Sequence, residues 1–233
     1  MARKRGKSNT PRRAGAGRRQ AAQKGQQHWR RDQRADPYFQ RAKAEGYRAR
    51  SAYKLIQIQE RFHILGKGQA VLDLGAAPGS WSQVAVKTVG SAGKVVAVDL
   101  QAIEPIPGVI AIQGDMTTPE VQARAIEAAG GSVDVVLSDA APNTSGIRLR
   151  DHAFSVALVY AARDIARQVL KPGGHLIAKV FEGEDLPQLI ADLRSDFEAV
   201  KPFYPEATRR EGYEVFLVCR GYAGSASPDR DGL

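Results

Sequence analysis

The segment D-L-G-A-A-P-G-S-W, residues 73–81, has the make-up of a loop that lets a ligand approach the backbone. It follows a buried apolar run and opens a helical pattern, the place where an adenosine-type cofactor would sit. A dinucleotide fingerprint needs glycines at three spaced positions, so that a pyrophosphate can rest on a helix N-terminus. Counting from Gly75, the second and third of those positions hold Ala77 and Ser80, and Pro78 interrupts them. The pyrophosphate reading fails. Two further acids stand at strand ends. Asp99 closes V-A-V-D-L, where a carboxylate can accept both hydroxyls of a ribose, and Asp115 in Q-G-D-M is placed to accept from an adenine amino group. Any single Asp at a strand end is more often a helix cap or a solvated loop charge. A glycine loop, an Asp and an Asp at three successive strand ends are harder to set aside.

The leading acid Asp73 with Gly75 and Gly79 resembles motif I of S-adenosylmethionine-dependent methyltransferases, whose cofactor carries no phosphate. The acceptor is suggested by a lysine. H-L-I-A-K-V-F puts Lys179 inside an otherwise apolar strand. A buried ammonium is costly without a partner, so Lys179 is expected at the strand's C-terminal end, facing a cleft among carboxylates. Standing alone, it would as readily snorkel to solvent. It is accompanied by Asp139 at the end of V-L-S-D-A-A-P-N, Lys54 in R-A-R-S-A-Y-K-L and Glu214 in G-Y-E-V-F-L-V. D-A-A-P also has a superficial likeness to the Asp/Asn-Pro-Pro-aromatic motif of enzymes that methylate base amines. Those need an aromatic to stack a flipped base, and here Asn143 takes that place.

These residues must be positioned by the elements around them. Apolar runs at 70–74, 94–100, 109–112, 133–138, 175–181, 199–203 and 213–219 read as strands. Helical patterns fall at 36–45, 51–62, 81–89, 120–129, 152–170 and 185–197, with Ser51 as N-cap of the second and K-P-G-G closing the fifth. This alternation predicts an α/β fold with a mostly parallel seven-stranded sheet and helices on both faces. Ligands of such sheets bind beyond the C-terminal strand ends, where Asp73, Asp99, Asp115, Asp139 and Lys179 fall.

The charge of +9 is unevenly distributed. Residues 1–34 hold 12 Lys and Arg against one acid, and the rest of the chain is nearly neutral. That basic stretch has no aliphatic residue larger than Ala after Met1, so a disordered arm is expected over residues 1–30. It would bind phosphates by releasing counterions, or simply aid solubility. A folded domain is expected over 31–221 and a loose tail over 222–233. One cysteine, Cys219, excludes an internal disulfide framework, and His28, His63, His152 and His175 lack metal-ligand spacing. No apolar stretch reaches membrane-spanning length and no secretory h-region is present, so a cytoplasmic protein is expected.

Taken together, Lys54, Asp139, Lys179 and Glu214, with D-L-G-A-A-P-G, S-D-A-A-P-N and K-V-F, resemble the Lys-Asp-Lys-Glu tetrad of the FtsJ/RrmJ-like ribosomal RNA 2′-O-methyltransferases, in particular the large-subunit methyltransferase E group. The resemblance runs from about residue 31 to residue 221. It implies a Rossmann-like class I S-adenosylmethionine-dependent methyltransferase fold and methylation of a uridine 2′-hydroxyl in the peptidyl-transferase A loop of 23S rRNA, with the large subunit as partner. It implies cofactor contacts from Gly79, Trp81, Asp99, Asp115 and Asp139, and Lys179 as base. Two departures are visible: Ser80 replaces a glycine, and Gly212-Tyr213 stand where relatives often carry polar or basic residues.

A ribose hydroxyl is a poor nucleophile, so positioning and proton removal must both contribute. Lys179 serves as base only if its pKa falls: burial and Lys54 push it down, Asp139 and Glu214 push it up. Asp139 would orient it near the sulfonium, and Lys54 and Glu214 would fix the ribose. Arg48, Arg50 and Lys54 form the expected RNA-contacting face, with Arg209 and Arg210 weaker candidates. No metal is called for, and a monomer is expected. The alternatives are 2′-O-methylation of another RNA, base-amine methylation, and a non-catalytic assembly factor. The last predicts loss of tetrad residues, and all four are present.

Overall fold

The computed structural model describes residues 36–142, 144–208 and 213–224. The basic arm, Asn143, Arg209, Arg210, Gly212 and most of the expected C-terminal tail lie outside the described residues.

Seven strands form one sheet: β1 (Ala70–Leu74), β2 (Lys94–Asp99), β3 (Val109–Gln113), β4 (Val133–Ser138), β5 (Leu170–Phe181), β6 (Phe197–Phe203) and β7 (Glu214–Tyr222). Their order is β3-β2-β1-β4-β5-β7-β6. β1 to β5 are parallel, and β7 runs antiparallel to both β5 and β6. The direction of winding reverses between β1 and β4, and in open α/β sheets that is where a crevice opens.

Helices α1 (Pro37–Ala44), α2 (Ala52–Phe62), α3 (Ser80–Val89), α4 (Pro119–Ala129), α5 (Arg148–Val169) and α6 (Leu186–Leu193) complete the domain. Period-2 alternation divides each strand between two cores. Leu72, Leu74, Val136, Leu176, Ala178 and Leu217 pack with α4, α5 and α6 on one face. Val71, Leu137, Ile177, Phe216 and Val218 pack with α2 and α3 on the other. Asp73, Lys179 and Glu214 each lie two residues from a member of the second set, so all three fall on the α2/α3 face. This places the polar residues of three strands under one helical layer.

Several boundaries differ from the sequence reading. K-P-G-G does not close the fifth helix: α5 ends at Val169, Leu170 pairs with Val133, and the next registered pair is His175 with Val135. The intervening residues bulge out of the strand, with Gly173 at φ +81°. α5 begins at Arg148, not at 152, and α6 stops at Leu193, not at 197, because Phe197 pairs with Tyr222 at the start of β6. β7 runs three residues past its expected end to Tyr222, which is buried, so the folded body includes the first residue of the expected tail. Ser51 occupies the N-cap of α2 without a capping bond; its hydroxyl lies 2.7 Å from that of Ser80.

Candidate active site

Two clefts open side by side at the C-terminal edge of the sheet. The larger, about 840 Å³, is walled by Gly75 and Ala77 after β1, residues 99–101 after β2, 114–117 after β3, 139–142 after β4, and one stripe of α5. Gly75 is required here: its φ is +67°, and a Cβ would sit 2.6 Å from the Cα of Ala140, forcing the β1 and β4 loops apart. The loop is fastened from outside. Arg48 donates to the carbonyls of Pro78 (2.8 Å), Glu104 (2.7 Å) and Pro105 (2.9 Å), bridging it to the segment after β2.

Asp99 accepts from Ala77 N–H through one carboxylate oxygen (2.9 Å) and from Gln101 N–H through the other (2.8 Å). Each oxygen keeps a lone pair for a ligand. Asp115 is exposed and takes both the N–H and the hydroxyl of Thr117 on one oxygen, which holds its carboxyl below the usual range. Asp73 is fully buried beneath the loop. Its Oδ2 accepts from Ser82 (2.6 Å), while its Oδ1 has no partner among the described residues. Burial, against the Ser82 bond and with added repulsion from Asp139 and Asp99, pushes its pKa up to about 7.

The smaller cleft, about 340 Å³, is lined by Arg50, Ser51, Lys54, Thr144, Phe181, Ala207, Tyr213 and Glu214. Lys179 lies in the wall between the two clefts. Its ammonium is 2.8 Å from Asp139 Oδ1, 2.8 Å from the Asp139 carbonyl and 3.9 Å from Glu214 Oε1. Lys54 pairs with the other oxygen of Glu214 and lies 5.5 Å from the Phe216 ring centroid. The four residues predicted as a tetrad are thus one continuous chain of charges, Lys54–Glu214–Lys179–Asp139. The register explains it: Lys179 pairs with Phe216 and Phe181 with Glu214, so Lys179 and Glu214 are diagonal neighbours on one face, under α2. Burial alone would lower the pKa of Lys179, but Asp139 and Glu214 together outweigh it and raise the pKa above the ordinary lysine value. The ammonium form is the resting state.

Other predicted residues are placed differently. Trp81 is 1% exposed, packs on Phe216 and donates its indole N–H to the Ser51 carbonyl (2.9 Å), so its side chain belongs to the core and not to the cleft wall. Gly79 has φ +104° and lies against Ile106 and Arg48, while Gly75 lines the cleft. Arg50 holds Asp36 and the Ala207 carbonyl at the rim of the smaller cleft. The sequence reading missed Phe154, Ala157, Leu158 and Ala161, the stripe of α5 facing the larger cleft. Their i, i+3, i+4, i+7 spacing was visible, but that spacing also describes a core face. Among the described residues no three His, Cys, Asp or Glu side chains converge as a metal site, and no helix is long and apolar enough to cross a membrane.

The strand order with an antiparallel β7, the glycine loop after β1 and acids at successive strand ends define a Rossmann-like class I methyltransferase fold. The chain belongs to the FtsJ-like methyltransferase family, whose sequence model matches residues 47–222. It is 46% identical to the ribosomal RNA large subunit methyltransferase E of Azorhizobium caulinodans, over 88% of this chain and 87% of that protein. It is 49% identical to the protein of the same name from Syntrophobacter fumaroxidans, over 78% of this chain and 93% of the relative. A crystal structure of a Plasmodium falciparum protein, assigned as a ribosomal RNA methyltransferase, superposes with a TM-score of 0.70 at 31% identity, covering 76% of this chain and all of that one.

Proposed function

We propose that this protein transfers the methyl group of S-adenosylmethionine to the 2′-hydroxyl of a uridine in the 23S rRNA A loop, on the large ribosomal subunit, as a cytoplasmic monomer. The observation that carries the reading is the position of Lys179, whose amine stands between a cleft suited to a cationic nucleoside and a second cleft suited to one nucleotide. The large cleft fits the cofactor. Asp99 has free lone pairs for ribose hydroxyls, Asp115 stands at the far rim, and Phe154, Leu158 and Met116 give an apolar surface for adenine. Bound S-adenosylmethionine would supply an electrophilic methyl carbon in the cleft whose wall includes Asp139, the partner of Lys179.

The chain's own residues do the rest. Lys54 and Glu214 face the smaller cleft and orient the acceptor ribose, while Arg50, Arg48 and the basic arm of residues 1–30 meet RNA phosphates around the folded domain. Lys179 takes the hydroxyl proton onto Nζ, after first releasing to solvent the proton its carboxylate partners hold there. Asp139 serves Lys179 and the large cleft at once, so a cation seated in that cleft competes for the charge that keeps Lys179 protonated.

The test uses large subunits from cells lacking this gene, incubated with purified protein and labelled S-adenosylmethionine, then digested to nucleosides. The expected product is 2′-O-methyluridine. Label on a base, or on a sugar other than that of uridine, would overturn the assignment.

A further inference from the structure

The smaller cleft holds a side chain with no role in the chemistry above. Lys179 is only 7% exposed at the bottom of the wall between the clefts, so a hydroxyl reaches it only from a nucleotide drawn out of its neighbours' stack. At about 340 Å³ the smaller cleft has room for about one nucleoside. A base taken from its stack needs another π surface. Of the described residues lining this cleft, Arg50, Ser51, Lys54, Thr144, Ala207 and Glu214 carry no ring, and Phe181 is 5% exposed. Tyr213 remains. It is half-buried, its carbonyl accepts from Glu182 N–H (2.7 Å), its ring meets the Phe181 ring at a steep angle (centroids 4.9 Å, planes at 65°), and the Arg148 guanidinium lies over one of its faces, 5.0 Å from its centroid.

We propose that Tyr213 is the substrate-positioning residue on which the base of the target nucleotide stacks, on the ring face away from the Arg148 guanidinium. Resting on the function proposed above, this names how the acceptor is held: by a ring one residue before Glu214, hence fixed in register with the tetrad. Stacking on an aromatic ring does not depend on base identity, so Tyr213 sets the reach and orientation of the nucleotide and leaves sequence choice to other contacts.

Tyr213→Leu keeps an apolar contact for Phe181 and removes the π face. Steady-state methylation of large subunits should lose about tenfold or more in kcat/KM, with the dissociation constant for S-adenosylmethionine unchanged, and Tyr213→Phe should restore wild-type values. Wild-type kcat/KM in Tyr213→Leu, or an equal loss in Tyr213→Phe, would overturn the stacking role. A readout on unaltered protein covers a variant that folds poorly: 4-thiouridine-substituted large-subunit RNA should photo-crosslink to the peptide containing Tyr213, and crosslinks confined to α1 and α2 would again overturn it. Inactive wild-type protein would sink the proposed function and this inference with it. Active wild type with fully active Tyr213→Leu sinks the inference alone.

Discussion

The two clefts that meet at Asp139 treat charge in opposite ways. Around the smaller one every ionised side chain has a partner: Lys54 with Glu214, Lys179 with Asp139 and Glu214, Arg50 with Asp36. At the larger one, Asp99 and Asp115 are held by backbone N–H groups and a hydroxyl, Asp73 by a single serine, and none of the three is in an ion pair among the described residues. A neutralised network can stay rigid and wait for an uncharged acceptor. An excess of carboxylates is a site that gains most from a cationic occupant. The difference separates what holds the acceptor from what draws in the donor, and Asp139, in the wall of the larger cleft, is tied to the smaller one through its ion pair with Lys179.

Breaking the paired side should cost most. Lys179→Ala is expected to lower single-turnover methyl transfer by about a thousandfold, near the upper part of what a general base contributes. Cofactor binding should persist, because Lys179 lies in the dividing wall and not on the large cleft's surface. The raised pKa fixes the pH dependence. Lys179 accepts a proton only when neutral, so the wild-type single-turnover rate should climb about tenfold per pH unit from neutrality toward the lysine range, and Lys179→Ala should be flat. A flat wild-type profile would show that Lys179 does not limit the chemistry. On the unpaired side, Asp99→Ala removes a charged acceptor and frees Ala77 N–H in the glycine loop. S-adenosylmethionine should bind about 10- to 100-fold more weakly by calorimetry, with affinity for the large subunit unchanged. A parallel loss of subunit affinity would mean that the two clefts are not separable.

The unpaired side was also the easier to read. β1 and β4 have the bounds expected from A-V-L-D-L and V-D-V-V-L-S, since strands buried on both faces are largely apolar runs, and the glycine or acid just past each, Gly75 or Asp139, is the cleft-facing residue. Three neighbouring parallel strands therefore write their half of the site as three short local motifs. The paired side has no local signature. Lys54 and Glu214 are 160 positions apart and meet only because β7 inserts antiparallel beside β5, a topological fact that periodicity does not encode. Pattern alone placed Asp139 and Lys179 at strand ends; family resemblance joined Lys54 and Glu214 to them. Apolar lining was hidden for another reason: Phe154 and Leu158 line a cleft with the same spacing they would use to line a core. Trp81 shows the converse, a residue beside the glycine motif whose size sends it into the core against Phe216.

The smallest expected effect concerns stability, and it tests whether the acidity of the larger cleft reaches the strand beneath it. Asp73 has a carboxyl pushed up to about 7, first by burial and then by Asp139 and Asp99, partly offset by the Ser82 bond. An acid whose folded pKa exceeds its unfolded value binds more protons when folded. Its contribution is fully present below the unfolded pKa of about 3.9, and is lost as pH rises through about 7. Asp73→Asn keeps the size of the side chain and can still accept from Ser82, but carries no charge to desolvate. The variant should melt close to wild type near pH 4 and progressively above it up to pH 7.5, with a final gap of about 5 °C or more. A gap that does not change with pH would mean that Asp73 is not held as a lone buried acid. The double variant Asp73→Asn/Asp99→Asn should then show a smaller gain over Asp99→Asn alone, because one of the charges that raised the pKa is already gone. Strict additivity would confine the acidity of the larger cleft to its surface.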